Sequence, residues 1–112
     1  MEDCLFCRMG TGEVDTNKVY EDENIIAIHD INPTAPVHIL LIPKRHLASL
    51  RDAAEEDIEL LGSIQLAASR VAKELSLESY RLVSNCGEPA GQEVFHLHYH
   101  LLGGREFAWP PG

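Results

Sequence analysis

The sequence predicts an α+β protein built on a largely antiparallel five-stranded sheet with one long helix. Three observations lead there. Five short segments rich in β-branched, aliphatic and aromatic residues are bounded by turn-forming residues. One segment alone carries an apolar stripe of helical period. Most of the strands are joined by short connections, which suit antiparallel neighbours.

The elements follow in order. Residues 1–17 are mixed and broken at Gly10-Thr11-Gly12. Lys18-Val19-Tyr20-Glu21 and Ile25-Ile26-Ala27-Ile28-His29 read as two strands of a hairpin, with Asp22-Glu23-Asn24 as the turn. Asn32-Pro33-Thr34-Ala35-Pro36 is a loop, because two prolines bar regular structure. His38-Ile39-Leu40-Leu41-Ile42 reads as a buried strand. A helix is expected over residues 53–75, with Ile58, Leu61, Ile64 or Gln65, Ala68, Val71 or Ala72, and Leu75 along its apolar stripe. Asp52 as its cap and Glu55 three positions on form a capping-box pattern, and Glu55-Glu56-Asp57 suit the positive end of the helix dipole. Tyr80-Arg81-Leu82-Val83-Ser84 is a strand, residues 85–92 are a loop, and residues 94–102 are the last strand, stopped by Gly103-Gly104.

A chain of 112 residues, 45% hydrophobic and 24% charged, is one globular domain over residues 1–112. That size buries roughly two thirds of its unfolded surface, enough for a core without staples. Nine basic residues against eighteen acidic give a net charge of −9, which argues against non-specific binding to nucleic acid or an anionic membrane. Any phosphate must be held by local groups: histidines, backbone N–H groups and neutral donors. No apolar run approaches the ~20 residues of a membrane span. The start Met1-Glu2-Asp3-Cys4 has no basic region, so no secretory signal is expected. The three cysteines Cys4, Cys7 and Cys86 are an odd count, and a cytoplasmic protein with reduced thiols is expected. Cys4-Leu5-Phe6-Cys7 has the spacing of half a zinc site.

The informative segment is Val94-Phe95-His96-Leu97-His98-Tyr99-His100-Leu101-Leu102. On a strand, His96, His98 and His100 project to one face and Phe95, Leu97, Tyr99 and Leu101 to the other. The apolar face is expected against the long helix, leaving the imidazoles on the uncovered face. Two readings follow. The histidines hold a metal, completed by His38, or they attack and stabilise a phosphate, one as nucleophile and one as donor. The glycine-bearing loop Gly91-Gln92-Glu93 suits a phosphate better, since glycine lets backbone N–H groups approach an anion.

The run His96-Leu97-His98-Tyr99-His100-Leu101-Leu102 resembles the signature of the histidine-triad nucleotide-binding proteins. Ala27-Ile28-His29-Asp30-Ile31-Asn32-Pro33, Ala35-Pro36-Val37-His38 and Ile42-Pro43-Lys44-Arg45-His46 are similar to that family in order and spacing. The ending Trp109-Pro110-Pro111-Gly112 resembles its Hint branch, the purine nucleoside phosphoramidate hydrolases. The resemblance implies that fold, with a short N-terminal helix, in a homodimer whose two sheets join. It implies His98 as nucleophile on the α-phosphorus, His100 bonding the phosphate, and His96 and His38 orienting the nucleophile. It implies Asp30 on the ribose, Ile28 and Ile31 flanking a purine, and Asn85 with the backbone of Gly91, Gln92 and Glu93 on the phosphate. Trp109 would border the leaving-group pocket of the partner. Cys4, Cys7, His46 and His96 match a structural zinc site of some relatives, and catalysis needs no cofactor. Glu93 departs from the small hydroxyl residue of many members.

Overall fold

A computed structural model describes residues 4–112. Helix α1 spans Leu5–Thr11 and ends at Gly12, whose φ of 83° is the left-handed conformation that glycine adopts freely. Strands β1 (Lys18–Glu21), β2 (Ile25–His29), β3 (Val37–Pro43), β4 (Tyr80–Val83) and β5 (Tyr99–Gly103) form one sheet in the order β1-β2-β3-β5-β4, every pairing antiparallel. Helix α2 spans Ile58–Glu74. No helix among the described residues is long and apolar enough to cross a membrane.

Alternation along the strands gives the sheet two faces. Ile25, Ala27, Ile39, Leu41 and Leu101 point to α2 and pack with its Ile64, Ala67, Ala68, Val71 and Ala72. Each Ile, Leu or Val side chain buried there contributes roughly 1.5–3 kcal/mol. On the other face Ile26, Ile28, Leu40 and Ile42 meet Phe6 of α1. That helix is short and leaves the β5 side of the face open, which is where the imidazoles emerge.

Several expectations shift. The helix starts at Ile58, not at residue 53: two 3₁₀ turns, Leu50–Asp52 and Glu55–Asp57, precede it. The Asp52–Glu55 capping box does not form. The Asp52 carboxylate accepts from Ser49 Oγ at 2.9 Å, while that of Asp57 accepts from Ala54 N–H at 2.9 Å and from Arg45. Ile58 and Gln65 of the expected stripe are exposed, and Ala67 takes a place in it. Strand β5 begins at Tyr99, so residues 94–98 lie outside the ladder. β3 and β4 pair only with Tyr99 onward, and the preceding backbone bonds to loops instead: Leu97 N–H to Leu47 O at 2.6 Å, and Ser84 Oγ–H to His98 O at 3.1 Å. Phe95 is consequently half exposed rather than packed on the helix.

Candidate functional site

A cavity of about 510 Å³ lies on the open face of the sheet, within the size range of small-molecule sites. His98 and His100 enter from β5 and the residues before it, and His38 from β3. His100 lies opposite Leu40 and diagonally across from His38, close enough for their rings to meet. Their ring centroids are 5.1 Å apart, and those of His98 and His100 are also 5.1 Å apart.

Hydrogen-bond partners fix which nitrogen of each ring carries the proton. The His96 carbonyl lies 2.8 Å from His98 Nδ1 and can only accept, so Nδ1–H donates and the lone pair is left on Nε2. Thr34 N–H donates to His38 Nδ1 at 3.1 Å, so the proton of the neutral His38 ring is on Nε2. That Nε2–H donates to His100 Nδ1 at 2.8 Å, with the Asp30 carboxylate 3.3 Å from the same nitrogen. The His100 proton is therefore on Nε2. The result is a lone pair on His98 beside a donor on His100. Burial, then the neighbouring His98 and His38, lower the His100 pKa to about 4, so the ring is neutral near pH 7.

The expected residues divide. Ile28, Asp30, Ile31, Asn85, Gly91 and Glu93 line the cavity. Ile31 is 91% exposed, an apolar side chain at the rim with nothing packed over it. Gly91 adopts φ +103, so a side chain there would be strained by the backbone alone, although Asn85 Nδ2 at 3.5 Å from where a Cβ would be is in ordinary contact. Gln92 is buried and does not line the cavity. Its Oε1 accepts from Gly87 N–H at 2.9 Å, and its Nε2 donates to Ala48 O at 2.8 Å and Val94 O at 3.1 Å. Gly91 N–H and Gln92 N–H close the loop on Glu88 O and Gly87 O, so these two amides turn inward and away from an anion. Trp109 does not line the cavity either and is 83% exposed. Sequence reasoning missed the wall contributed by Leu5, Phe6 and Met9 of α1; their spacing along residues 4–9 was the available signal. It also missed Thr34, whose contribution is a backbone N–H and carries no side-chain signature.

No lysine or arginine lines the cavity among the described residues, while Asp30 and Glu93 do. A larger, more open depression of about 760 Å³ lies at the β4 edge, between residues 76–81 and 104–107. It holds none of the histidines. Its arginines, Arg81 and Arg105, stack on Phe107 at 5.1 and 4.2 Å, and Arg81 also donates to Ala108 O.

His96 turns away from the cavity. It is fully buried, and its Nε2–H donates to Pro43 O at 2.6 Å, which frees Nδ1. Nδ1 lies 3.2 Å from Cys4 Sγ, 3.4 Å from Cys7 Sγ and 3.1 Å from His46 Nδ1, with Cys7 Sγ 3.4 Å from His46 Nδ1. These separations approach the edges of a zinc tetrahedron with bonds of about 2.0–2.3 Å. The Pro43 carbonyl is the outer partner that a ligating imidazole requires. Burial, then the adjacent Cys4, push the Cys7 thiol up to about 11; a bound divalent cation reverses that by favouring thiolate. The residues fit a metal. Asp30, His38 and His100 also converge, but the neutral His38 Nε2 carries a proton and has no lone pair to offer. They are joined instead by the hydrogen bonds described above.

A family model described as the HIT domain matches residues 11–107. An uncharacterised HIT-like protein of Synechocystis is 50% identical, over 99% of this chain and 98% of that protein. The 14 kDa zinc-binding protein of Zea mays is 48% identical, over 96% of this chain and 87% of its own. The crystal structure of a HIT family hydrolase from Legionella pneumophila superposes with a TM-score of 0.93 at 49% identity, covering 98% of this chain and all of the other.

Proposed function

The chain belongs to the HIT domain family, and on that premise we propose that it hydrolyses the P–N bond of purine nucleoside 5′-phosphoramidates through a nucleotidyl-His98 intermediate. The observation that carries the reading is the tautomer pair: a free lone pair on His98 Nε2 beside a donor on His100 Nε2. Attack by His98 Nε2 on the α-phosphorus forms a P–N bond to the enzyme and breaks the P–N bond to the amine. The amine leaves with a proton, from a neighbouring acid or already carried by the substrate, because an amide anion is a very poor leaving group; neutral His100 keeps its Nε2–H and donates it as a hydrogen bond to the phosphate. Water then displaces His98 and releases the nucleoside monophosphate. Asp30 holds the ribose, and Ile28 and Ile31 flank the base. Asn85 and Glu93 N–H face the phosphate; that amide has no partner among the described residues. His96 positions His98 by its carbonyl rather than by its ring.

The same fold and histidines suit a dinucleoside polyphosphate or nucleotidyl transfer as well. The charge of the cavity favours the phosphoramidate. With no cation lining it and Asp30 and Glu93 at its walls, a substrate with a single phosphate charge meets less repulsion than a polyphosphate. A regulatory nucleotide-binding role without turnover would make no use of a freed nucleophile. The Cys4, Cys7, His46 and His96 cluster would hold a structural zinc, the chemistry that the maize relative's name carries. A zinc there takes no part in the reaction. The molecule would act in the cytoplasm as a Hint-type homodimer, joining sheets at the β4 edge and offering Trp109 to the partner's cavity.

Acid-quench trapping with a radiolabelled adenylate phosphoramidate tests the reading. Label is expected on the wild type and not on His98→Ala, with kcat lower by at least ~10³-fold, about 4 kcal/mol of barrier. Label that persists on His98→Ala would overturn the assignment.

A further inference from the structure

Helix α1 belongs to two sites at once. Cys4, its N-cap, and Cys7 supply half of the thiol–imidazole cluster, while Leu5, Phe6 and Met9 of the same seven residues wall the cavity. A helix this short has no stability of its own. Its place is set by what it is fastened to: the apolar seat of Phe6 on Ile26, Ile28, Leu40 and Ile42, and the cluster. A second link leaves the cluster through His96. Its ring is in the cluster, and its carbonyl holds His98 Nδ1–H at 2.8 Å. Phe6 sits between the two systems, edge-on to His96 at 5.9 Å and to His98 at 5.1 Å.

We propose that Cys4, Cys7 and His46 are positioning residues for the nucleotide: divalent metal at the cluster and nucleotide in the cavity bind with positive linkage, each fixing α1 for the other. The inference rests on the nucleotide and metal readings above and deepens both. Four ligands from three places must meet around one ion: α1, the segment after β3, and the segment before β5. They meet only when α1 is docked. A base in the cavity leans on the same docked helix through Leu5, Phe6 and Met9. Whichever ligand binds first bears the ordering cost, and the second binds more tightly. The strengthening factor is the same in both directions.

Cobalt(II) is the metal probe, because its thiolate absorption reports ligation directly and it binds more weakly than zinc, within a measurable range. Titration with and without saturating AMP is expected to show Co²⁺ binding about tenfold tighter when AMP is present. Calorimetric titration of AMP is expected to show the same factor between Co²⁺-loaded and chelator-treated protein. Cys7→Ser should bind AMP at the affinity of the metal-free wild type and no longer respond to added metal. Leu5→Ala, at an exposed position that a fold tolerates, should keep the Co²⁺ spectrum and shrink the linkage. A purely structural metal would raise the melting temperature while leaving AMP affinity at 20 °C unchanged, and equal Co²⁺ affinity with and without AMP overturns the proposal. Absence of Co²⁺ binding removes the metal reading, absence of AMP binding removes the nucleotide reading, and either takes the linkage with it. Both ligands bound without linkage overturns this inference alone.

Discussion

Removal of the His38 ring should slow turnover through His100 and by no other route. Thr34 N–H holds His38 Nδ1 at 3.1 Å, and His38 Nε2–H holds His100 Nδ1 at 2.8 Å, which leaves the His100 proton on Nε2. In His38→Ala that bond is lost, and with it a tautomer bias worth about 1 kcal/mol. The support that His38 and Asp30 lend His100 as charge develops on the phosphate is lost too. A pre-aimed donor to a developing oxyanion is worth about 10²–10³-fold in kcat. His100→Ala should lose that whole amount. His38→Ala, which weakens the donor without deleting it, should lose about 10–10²-fold, ~1.4–2.7 kcal/mol of barrier. Because His38 acts through His100, the double variant should be no slower than His100→Ala. The coupling energy then equals the His38 effect itself, far above the few tenths expected of independent sites. The assay is steady-state kcat on a fluorogenic adenosine 5′-phosphoramidate for the four proteins, with melting temperatures as a folding control. Multiplying losses in the double variant would show His38 acting on substrate independently and refute the route through His100.

Three further outcomes are expected. Metal analysis should find about one zinc per chain, and Cys4→Ser should lower the melting temperature by several degrees, ~4–8 °C per kcal/mol lost, while lowering kcat less; metal-free protein with an unchanged melting temperature would oppose this. For His100 the folded pKa, about 4, lies below the ~6.5 of an unfolded imidazole. Between those values the unfolded chain binds more protons, so the stability tied to this group is intact above pH ~6.5 and declines as pH falls toward 4. Calorimetry of His100→Asn should show a shallower decline than the wild type, and equal slopes would contradict the assigned shift. Sedimentation at micromolar concentration should report a dimer rather than the 12.5 kDa chain, and deletion of residues 107–112 should change amine preference more than AMP affinity.

The strands were legible because their signals are local. Pro33 and Pro36 on one side and Pro43 on the other confine the run that became β3, and Asp22-Glu23-Asn24 marks the β1–β2 turn. The long helix was legible over Ile64, Ala68 and Val71, where its stripe meets the sheet. Its start was not, because Asp57, whose carboxylate accepts from Ala54 N–H and is held by Arg45, distant in sequence, closes a separate 3₁₀ turn ahead of Ile58. The triad's period of two pointed correctly to the facing of His98 and His100 but wrongly to a strand through His96. Strand pairing is settled between strands, and the observed register ends at Leu41–Tyr99 with β3 and at Val83–His100 with β4. The resemblance implied the Gln92 backbone as a phosphate ligand, and only the three-dimensional loop shows its backbone N–H spent on Gly87 O and its side-chain amide on Gly87, Ala48 and Val94.

A cavity without lysine or arginine, in a chain of net charge −9, has a kinetic consequence. Phosphate-binding enzymes commonly gather substrate by long-range attraction, and added salt slows their encounter. Here, on the proposed function, an approaching nucleotide would climb a repulsive field until it reached the neutral donors of His100, Asn85 and Glu93 N–H. Salt shortens the reach of that field, from about 30 Å at 0.01 M to about 8 Å at physiological ionic strength. Encounter therefore quickens as ionic strength rises, the inverse of electrostatic steering. On the proposed function, the molecule would collect nucleotides poorly in dilute buffer and better at physiological ionic strength. It would then discriminate first against the most highly charged nucleotides, before any of them touched a histidine.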